Sequence, residues 1–307
     1  MHTAYISHPQ CHKHNMGHMH PEAPARLGAI EDRLHAAHLF DYLVHQQAPL
    51  VHRDHLLRVH DDTYVDAIEL ASPYEGIVHL DGDTAMNPQT LEAAYHAAGG
   101  AVMAVDRVLR GEVENAFVAC RPPGHHATRN QAMGFCFFNN VAVAAAHALE
   151  QHGLGRVAIV DFDVHHGNGT EDIFRDDPRV LFISTFQHPF YPYCGADTVS
   201  NHIINLPLPA GTTGKTYRPL FEARALPALE AFAPEMVFIS AGFDGHREDD
   251  MGQFGLVESD YVWITERVME IAARHAANRI VSVLEGGYDL SSLGRSVAAH
   301  IKVLAQL

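Results

Sequence analysis

Short apolar runs rich in β-branched residues alternate with helical patterns along this chain, and this alternation limits its fold more than any other feature. We predict strands at residues 156–161, 180–184, 236–240 and 279–284, and weaker ones at 4–7 and 116–119. We predict helices at residues 88–110, 139–151, 214–232, 259–276 and 291–304. Near-continuous apolar strands are typical of parallel sheets that helices cover on both faces. The order therefore predicts a doubly wound α/β fold with a central, mostly parallel sheet.

The length and composition of the chain indicate one domain. Its 307 residues are 47% hydrophobic, which is enough to build a large buried core. We find no Gly/Ser-rich linker, low-complexity tract or internal repeat at which a domain boundary would fall. We therefore predict a single domain over residues 1–307.

The charge balance and the cysteine pattern restrict the class of partner and the compartment. A formal net charge of −16 argues against a surface that binds nucleic acid phosphates. No apolar run reaches the about 18 residues that cross a bilayer, and the N-terminus lacks the basic and apolar regions of a secretory signal. The four cysteines form no C-x-x-C pair, which is typical of reduced thiols. We expect a cytoplasmic protein that binds neither nucleic acid nor membrane; a homo-oligomer is compatible with this sequence.

Histidine is unusually frequent, with 25 residues in the chain. Six of them fall within the first twenty positions: His2, His8, His12, His14, His18 and His20. A histidine-rich tract indicates either metal binding or a polar loop, and both interpretations stay open here.

Carboxylates and an imidazole follow two of the predicted strands at their carboxyl ends, where parallel sheets bind their ligands. Asp161, Asp163 and His165 come directly after the apolar run at residues 157–160 and share one face if the extended conformation continues. Asp244 follows the strand at residues 236–240. Asp163, His165 and Asp244 would leave one coordination position open, which is the form of a catalytic zinc site. The alternative is that these aspartates cap helices and turns.

Two further strand ends carry groups suited to hydrolysis. His125 and His126 follow the strand at residues 116–119 in a Pro/Gly-rich turn, which can aim both rings at one site. Tyr288 follows the strand at residues 279–284 after two glycines and offers a hydroxyl donor. Each signal is weak alone, since such turns also occur as plain loops. Together the four strand ends predict metal-assisted hydrolysis.

The motifs that contain these residues resemble one known family. They are Arg-Pro-Pro-Gly-His-His-Ala at residues 121–127, Gly-Phe-Cys-Phe-Phe-Asn-Asn at 134–140, Asp-Phe-Asp-Val-His-His-Gly-Asn-Gly at 161–169, Ser-Ala-Gly-Phe-Asp at 240–244 and Glu-Gly-Gly-Tyr at 285–288. The sequence resembles the zinc-dependent histone deacetylases and their bacterial relatives, the acetoin-utilisation-type proteins, deacetylase-like amidohydrolases and acetylpolyamine amidohydrolases. The resemblance spans nearly the whole chain and implies the arginase/deacetylase fold. Asn168 is more similar to the class II branch, because class I members have Asp there.

The resemblance implies a role for each catalytic group. One Zn²⁺ ion would be bound by Asp163, His165 and Asp244. His126 would be the general base that later protonates the leaving amine, and His125 would assist it electrostatically, oriented by Asp161. Tyr288 would polarise the amide carbonyl together with the metal.

The resemblance also implies a substrate tunnel and a second ion. Phe135 and Tyr191 would line the tunnel beside Gly134, and Arg26 would lie in the inner pocket near the acyl end. A structural K⁺ ion would be held by Asp161, Ser184, Thr185 and the backbone of Asp163 and His165. The acids of the segment at residues 79–84 could hold the substrate backbone or an ammonium group at the tunnel rim.

These implications combine into one functional hypothesis with two alternatives. We expect a zinc-dependent amidohydrolase that removes acetyl or other acyl groups from Nε-acyl-lysine in proteins or peptides. The first alternative is an acetylpolyamine deacetylase, with a small acylated amine as its substrate. The second is an inactive homologue that serves as a binding module.

Overall fold

Eight strands form the central sheet of the computed structural model, which describes residues 2–307. The strands of this sheet are β1 (Thr3–Ser7), β2 (Val44–Gln47), β5 (Asn115–Val118), β6 (Val157–Asp161), β7 (Val180–Gln187), β8 (Ile203–Leu208), β9 (Met236–Ala241) and β10 (Ile280–Leu284), and a small hairpin holds β3 (Val78–His79) and β4 (Ala85–Met86). The sheet order is β2-β1-β5-β10-β9-β6-β7-β8, and every neighbouring pair is parallel. The predicted α/β fold with a central parallel sheet is confirmed.

Helices cover both faces of this sheet. The helices are α1 (Ala25–Ala36), α2 (Arg53–Leu56), α3 (Asp62–Ala71), α4 (Thr90–Leu109), α5 (Asn140–Glu150), α6 (Asn168–Phe174), α7 (Gly214–Leu220), α8 (Leu226–Phe232), α9 (Glu258–His275) and α10 (Leu290–Leu304). Helices α4 and α5 pack together on one face, and α1, α9 and α10 pack together on the other. Successive side chains of β5 point to opposite faces of the sheet: Phe117 contacts His300 of α10, whereas Val118 faces Gly100 of α4.

The six predicted strands are present within a few residues, but the two edge strands were not predicted. Strand β2 alternates between half-buried and exposed positions, so it lacks the continuous apolar run of a central strand. Strand β8 contains Pro207, which has no N–H to donate and is tolerated at a sheet edge. Helices α1, α2, α3 and α6 also lie outside the predicted set.

Two predicted helices differ from the observed ones. The helix predicted from residue 88 begins at Thr90. The Thr90 hydroxyl accepts the N–H of Asn87 and donates to the Asn87 side-chain oxygen, and these hydrogen bonds form a turn before the helix. The helix predicted over residues 214–232 is divided by a π-helical turn at Phe221–Ala225. Pro219 and Pro227 flank this turn and lack the N–H groups of a regular α-helix.

The histidine-rich N-terminal tract packs against the rest of the fold. Pro9–His12 forms a single 3₁₀ turn, and buried His14 contacts Thr90 and Glu22. His20 contacts Phe135 edge-to-face and the backbone oxygen of Asp83. These contacts favour the loop interpretation of the tract. Among residues 2–307, no helix combines the length and apolar composition that a membrane span requires.

Candidate active site

Four neighbouring strands in the middle of the sheet carry the predicted site residues. Strands β5, β10, β9 and β6 are adjacent in the sheet order, so their carboxyl ends meet at one edge. The loops that follow them bring together the histidine pair, Tyr288 and the three predicted metal ligands. The sheet order thus explains why motifs far apart in sequence converge.

Asp163, His165 and Asp244 lie in contact with one another. Nδ1 of His165 is 3.0 Å from Oδ1 of Asp163 and 3.1 Å from Oδ2 of Asp244. Ligands of a tetrahedral zinc ion at about 2.0–2.1 Å are separated by about 3.4 Å, so this spacing needs little adjustment to hold one. The outer carboxylate oxygens accept backbone N–H groups from Gly286 and Val164, which fix the orientation of both aspartates.

The charge and packing of this trio fit a divalent cation. All three side chains are buried, so the charge of the two carboxylates must be balanced by a bound cation or by protons. Burial, and then the neighbouring Asp163 carboxylate, raise the pKa of Asp244 to about 7. Burial disfavours the charged form of His165, but hydrogen bonds to Asp163 and Asp244 raise its pKa to about 10. A Cβ atom at Gly286 would overlap the carboxylate oxygens of both aspartates, so this position requires glycine.

The two adjacent histidines have different partners. Nδ1 of His125 lies 2.9 Å from Oδ2 of Asp161, whereas Nδ1 of His126 lies 2.7 Å from Oδ1 of Asn168. Burial opposes a charge on His125, but Asp161 and Asp163 raise its pKa well above the ordinary value. Burial and the neighbouring His125 hold the pKa of His126 well below its ordinary value. The environment therefore favours a charged His125 beside a neutral His126.

A buried carboxylate supports the turn that carries this pair. Oε2 of Glu285 accepts the N–H groups of Gly124 and His125 at 2.7 and 3.1 Å, and Ser240 donates to its other oxygen. Glu285 lies at the end of β10, so it ties the histidine turn to the neighbouring strand. No local sequence pattern indicates this role of Glu285, which depends on the neighbouring strand ends.

Tyr288 is held by its backbone and by its ring. Oδ2 of Asp249 accepts the N–H groups of Tyr288 and Asp289 at 2.6 and 3.0 Å. The guanidinium of Arg26 lies 4.9 Å from the centre of the tyrosine ring. Burial and the Asp244 carboxylate raise the pKa of Tyr288 well above its ordinary value, which keeps the hydroxyl protonated.

Arg26 lies behind the Gly-Gly-Tyr turn, and its place near the acyl end of the inner pocket stays a prediction. It is fully buried, and its nitrogens donate to the backbone oxygens of Gly287 and Glu285 and to the carboxylate of Glu22. Arg26 thus supports Tyr288 from behind, because its donors are already bonded within the protein.

A cavity of about 280 Å³ reaches the site. Its lining residues are Asp83, His126, Gly134, Phe135, His165, Phe190, Tyr191, Tyr193, Asp250, Met251 and Tyr288. Phe135 meets Tyr288 edge-to-face at 5.8 Å between ring centres, and Tyr191 meets His126 in the same way at 5.2 Å. A Cβ atom at Gly134 would lie 2.5 Å from the His126 ring, so glycine lets this wall of the cavity pack directly on the histidine. Gly134, Phe135 and Tyr191 therefore lie together on the wall of one cavity.

Four further residues that were not predicted from the sequence also line the cavity: Phe190, Tyr193, Asp250 and Met251. Phe190 stacks on the ring of His165 at 5.4 Å, and Met251 adds a second apolar wall. Asp250 and Tyr193 are exposed at the cavity, as is Asp83 of the predicted rim segment. Phe190 adjoins Tyr191 and could have been identified by that position. Asp250 and Met251 lie in an irregular loop whose sequence contains no comparable signal.

The residues expected to hold potassium lie beside the same strand ends. Asp161 and Ser184 are register partners on β6 and β7. The Thr185 hydroxyl contacts the backbone oxygen of Asp161 at 3.3 Å, and the Ser184 hydroxyl contacts His166 at 3.0 Å. The potassium ion itself stays a prediction.

Known proteins resemble this chain in sequence and in structure. The family model described as "Histone deacetylase domain" matches residues 20–304. A probable deacetylase of Archaeoglobus fulgidus is 38% identical over 296 residues, covering 94% of this chain and 82% of the relative. A histone deacetylase-like amidohydrolase of Pseudomonas aeruginosa is 39% identical over 277 residues, covering 88% of this chain and 73% of the relative. The crystal structure of the HDA15 HD domain matches with a TM-score of 0.94 at 36% identity, covering 99% of this chain and 90% of that chain.

Similarity of this extent, together with the convergence of the motifs on one cavity, shows that the chain belongs to the histone deacetylase family of hydrolases.

Proposed function

We propose that this protein is a zinc-dependent deacylase that hydrolyses the amide bond of Nε-acyl-lysine in proteins or peptides. One observation carries the proposal: a neutral imidazole, a tyrosine and a predicted metal ligand, His126, Tyr288 and His165, line the same narrow cavity. Metal-assisted amide hydrolysis requires a general base, a hydroxyl donor and a metal ion at one place, and these residues would supply all three on one cavity wall.

Asp163, His165 and Asp244 are the residues that would hold the zinc ion. When bound, zinc supplies a Lewis acid that polarises the acyl carbonyl and lowers the pKa of a water molecule to about 7. The protein contributes the fixed orientation of the two aspartates, which the backbone N–H groups of Gly286 and Val164 maintain. A structural potassium ion at Asp161, Ser184 and Thr185, with the backbone of Asp163 and His165, belongs to the same proposal.

His126 is the group that moves protons. Oδ1 of Asn168 is an acceptor, so Nδ1 of His126 carries the proton and Nε2 stays free to accept one. Its lowered pKa keeps it neutral at neutral pH, so it can take the proton of the attacking water and return it to the leaving amine. Since protonated His125 lies beside it, the positive charge of the pair also favours the developing oxyanion.

Tyr288 donates a hydrogen bond to the same oxyanion. Its hydroxyl stays protonated because the pKa is raised, and Asp249 and Arg26 hold the residue in place. The aromatic rings of Phe135 and Phe190, with Met251, offer an apolar wall to the methylene chain of an acyl-lysine.

One observation favours a second candidate substrate. Asp83 and Asp250 place two exposed carboxylates at the cavity, where they could bind the ammonium groups of an acetylpolyamine. Parallel assays of the zinc-loaded protein with an acetyl-lysine peptide and with N-acetylputrescine separate the two candidates. We expect the larger kcat/KM for the peptide, and a larger value for N-acetylputrescine would favour the polyamine activity. Absence of turnover with both substrates would indicate the inactive binding module.

A further inference from the structure

A second group of metal-ligating side chains lies outside the candidate active site. Nε2 of His147 and Nε2 of His152 lie 2.8 and 2.7 Å from the same oxygen of Asp106, and all three donor atoms lie within 4.8 Å of one another. We propose that Asp106, His147 and His152 form a second binding site for a divalent transition-metal ion such as Zn²⁺. This proposal is independent of the proposed function.

The fold places this site far from the substrate cavity. Asp106 is in the last turns of α4, His147 is in the last turn of α5, and His152 is in the turn that follows. Helices α4 and α5 lead into β5 and β6, which run parallel, so these helix ends lie where the strands begin. The candidate active site lies where the same strands end. An ion at the second site would join the ends of two packed helices to a loop, without contact with the substrate.

The donor set and its exposure suit an exchangeable ion. Two imidazoles and one carboxylate form a set of nitrogen and oxygen ligands that suits zinc, nickel and cobalt ions. The His147 side chain is 4% exposed, whereas those of His152 and Asp106 are 22% and 26% exposed, so one side of the trio is open to water. That opening leaves a coordination position for water or for an incoming ligand.

The ring of His55 packs beside that of His147, with 4.9 Å between the two ring centres. Nδ1 of His55 is buried and has no hydrogen-bond partner among the described residues.

Arg58 competes with the metal for His147. Its guanidinium donates to Nδ1 of His147 at 2.9 Å, which places the histidine proton on Nε2, facing Asp106. A metal at Nε2 requires that this proton move to Nδ1 and that Arg58 turn away. Arg58 has room for this movement, because it also lines a cavity of about 580 Å³ whose walls include the acidic side chains of Glu150 and Asp172.

Zinc binding to the full-length protein tests the site directly. The protein is stripped with a chelator and dialysed against micromolar Zn²⁺, and the metal content per chain is measured for wild type, His152→Gln and Asp106→Asn. We expect both variants to bind one equivalent fewer than wild type while they keep wild-type deacylase activity. His38→Asn, at an exposed histidine outside the trio, is the matched control and keeps the wild-type count.

Two outcomes overturn the proposal. Equal zinc content in wild type and His152→Gln would show that the trio is only a hydrogen-bonded cluster, and an equal loss in His38→Asn would show non-specific binding. Arg58→Met provides a second measurement, because removal of the competing donor should tighten zinc binding about tenfold, the scale of one hydrogen bond from a charged donor. Unchanged or weaker binding in Arg58→Met would contradict the competition that the geometry requires.

Discussion

The amide oxygen of Asn168 lies 2.7 Å from Nδ1 of His126, so the proposed general base has a neutral partner. Nδ2 of Asn168 lies 3.4 Å from the sulfur of Met133, so the amide oxygen of Asn168 faces His126. A carboxylate at this position would stabilise the imidazolium and raise the pKa of His126 by about one unit or more. We therefore expect Asn168→Asp to move the acidic limb of the kcat/KM profile to higher pH.

The control for this prediction is Asn168→Ala, which removes the acceptor without adding a charge and should not move the acidic limb upward. An acidic limb that is unchanged in Asn168→Asp would show that His126 is not the group whose titration limits the reaction.

The two adjacent histidines should differ in their effect on the rate. His126→Ala removes the general base and should lower kcat by about 10²–10⁴. His125→Ala should cost less and should mainly change the pH profile, because it removes the nearby charge that Asp161 maintains. Steady-state kinetics on both variants across pH distinguish the roles. Near-normal activity in His126→Ala together with an inactive His125→Ala would reverse the assignment.

Tyr288→Phe removes the hydroxyl and keeps the ring that contacts Arg26 and Phe135. Loss of one oxyanion donor of this kind typically lowers kcat by about 10²–10³. Substrate affinity should change little, because the tunnel wall and the metal ligands stay in place. A wild-type kcat in Tyr288→Phe would show that the Gly-Gly-Tyr turn only shapes the fold.

Acid should destabilise the protein through buried neutral histidines, of which His60 gives the clearest test. Its Nδ1–H donates to the backbone oxygen of Thr128, and its Nε2 accepts the N–H of Asn139. Burial lowers its pKa from 6.5 to about 4, so the unfolded chain takes up a proton that the folded chain does not. The free energy of unfolding should fall as the pH falls from 6.5 to 4, by about 3 kcal/mol from this residue.

Chemical denaturation of wild type and His60→Gln at several pH values measures this effect. The glutamine keeps one donor and one acceptor but cannot be protonated, so its stability curve should be flatter between pH 6.5 and 4. Equal slopes for the two proteins would show that His60 does not carry the acid sensitivity.

The sequence predicted the centre of the molecule better than its periphery. Strands β5, β6, β9 and β10 are buried on both faces, so their apolar runs are visible in the sequence, and the chemistry follows directly at their ends. The edge strand β2 lacks such a run because one of its faces is exposed.

The supporting contacts of the site depend on tertiary structure that no local pattern contains. Asp249 binds the backbone of Tyr288 from another loop, and Arg26 reaches Gly287 across 261 positions of the chain. Residue type alone could not show that Arg26 donates to the backbone oxygens of Gly287 and Glu285 behind Tyr288. Phe190 and Met251 likewise become lining residues only through the folding of their loops.

The proposed mechanism requires that amide hydrolysis depend on a metal held by Asp163, His165 and Asp244. Removing the metal from the protein and adding Zn²⁺ back tests this requirement directly. The metal-free protein is titrated with Zn²⁺, and hydrolysis of an acetyl-lysine peptide is followed for wild type and for Asp244→Asn. We expect no turnover without metal, recovery in wild type on addition of zinc, and no recovery in Asp244→Asn at the same zinc concentration. Full activity in the metal-free wild-type protein, or equal recovery in Asp244→Asn, would mean that these three residues do not hold a catalytic metal.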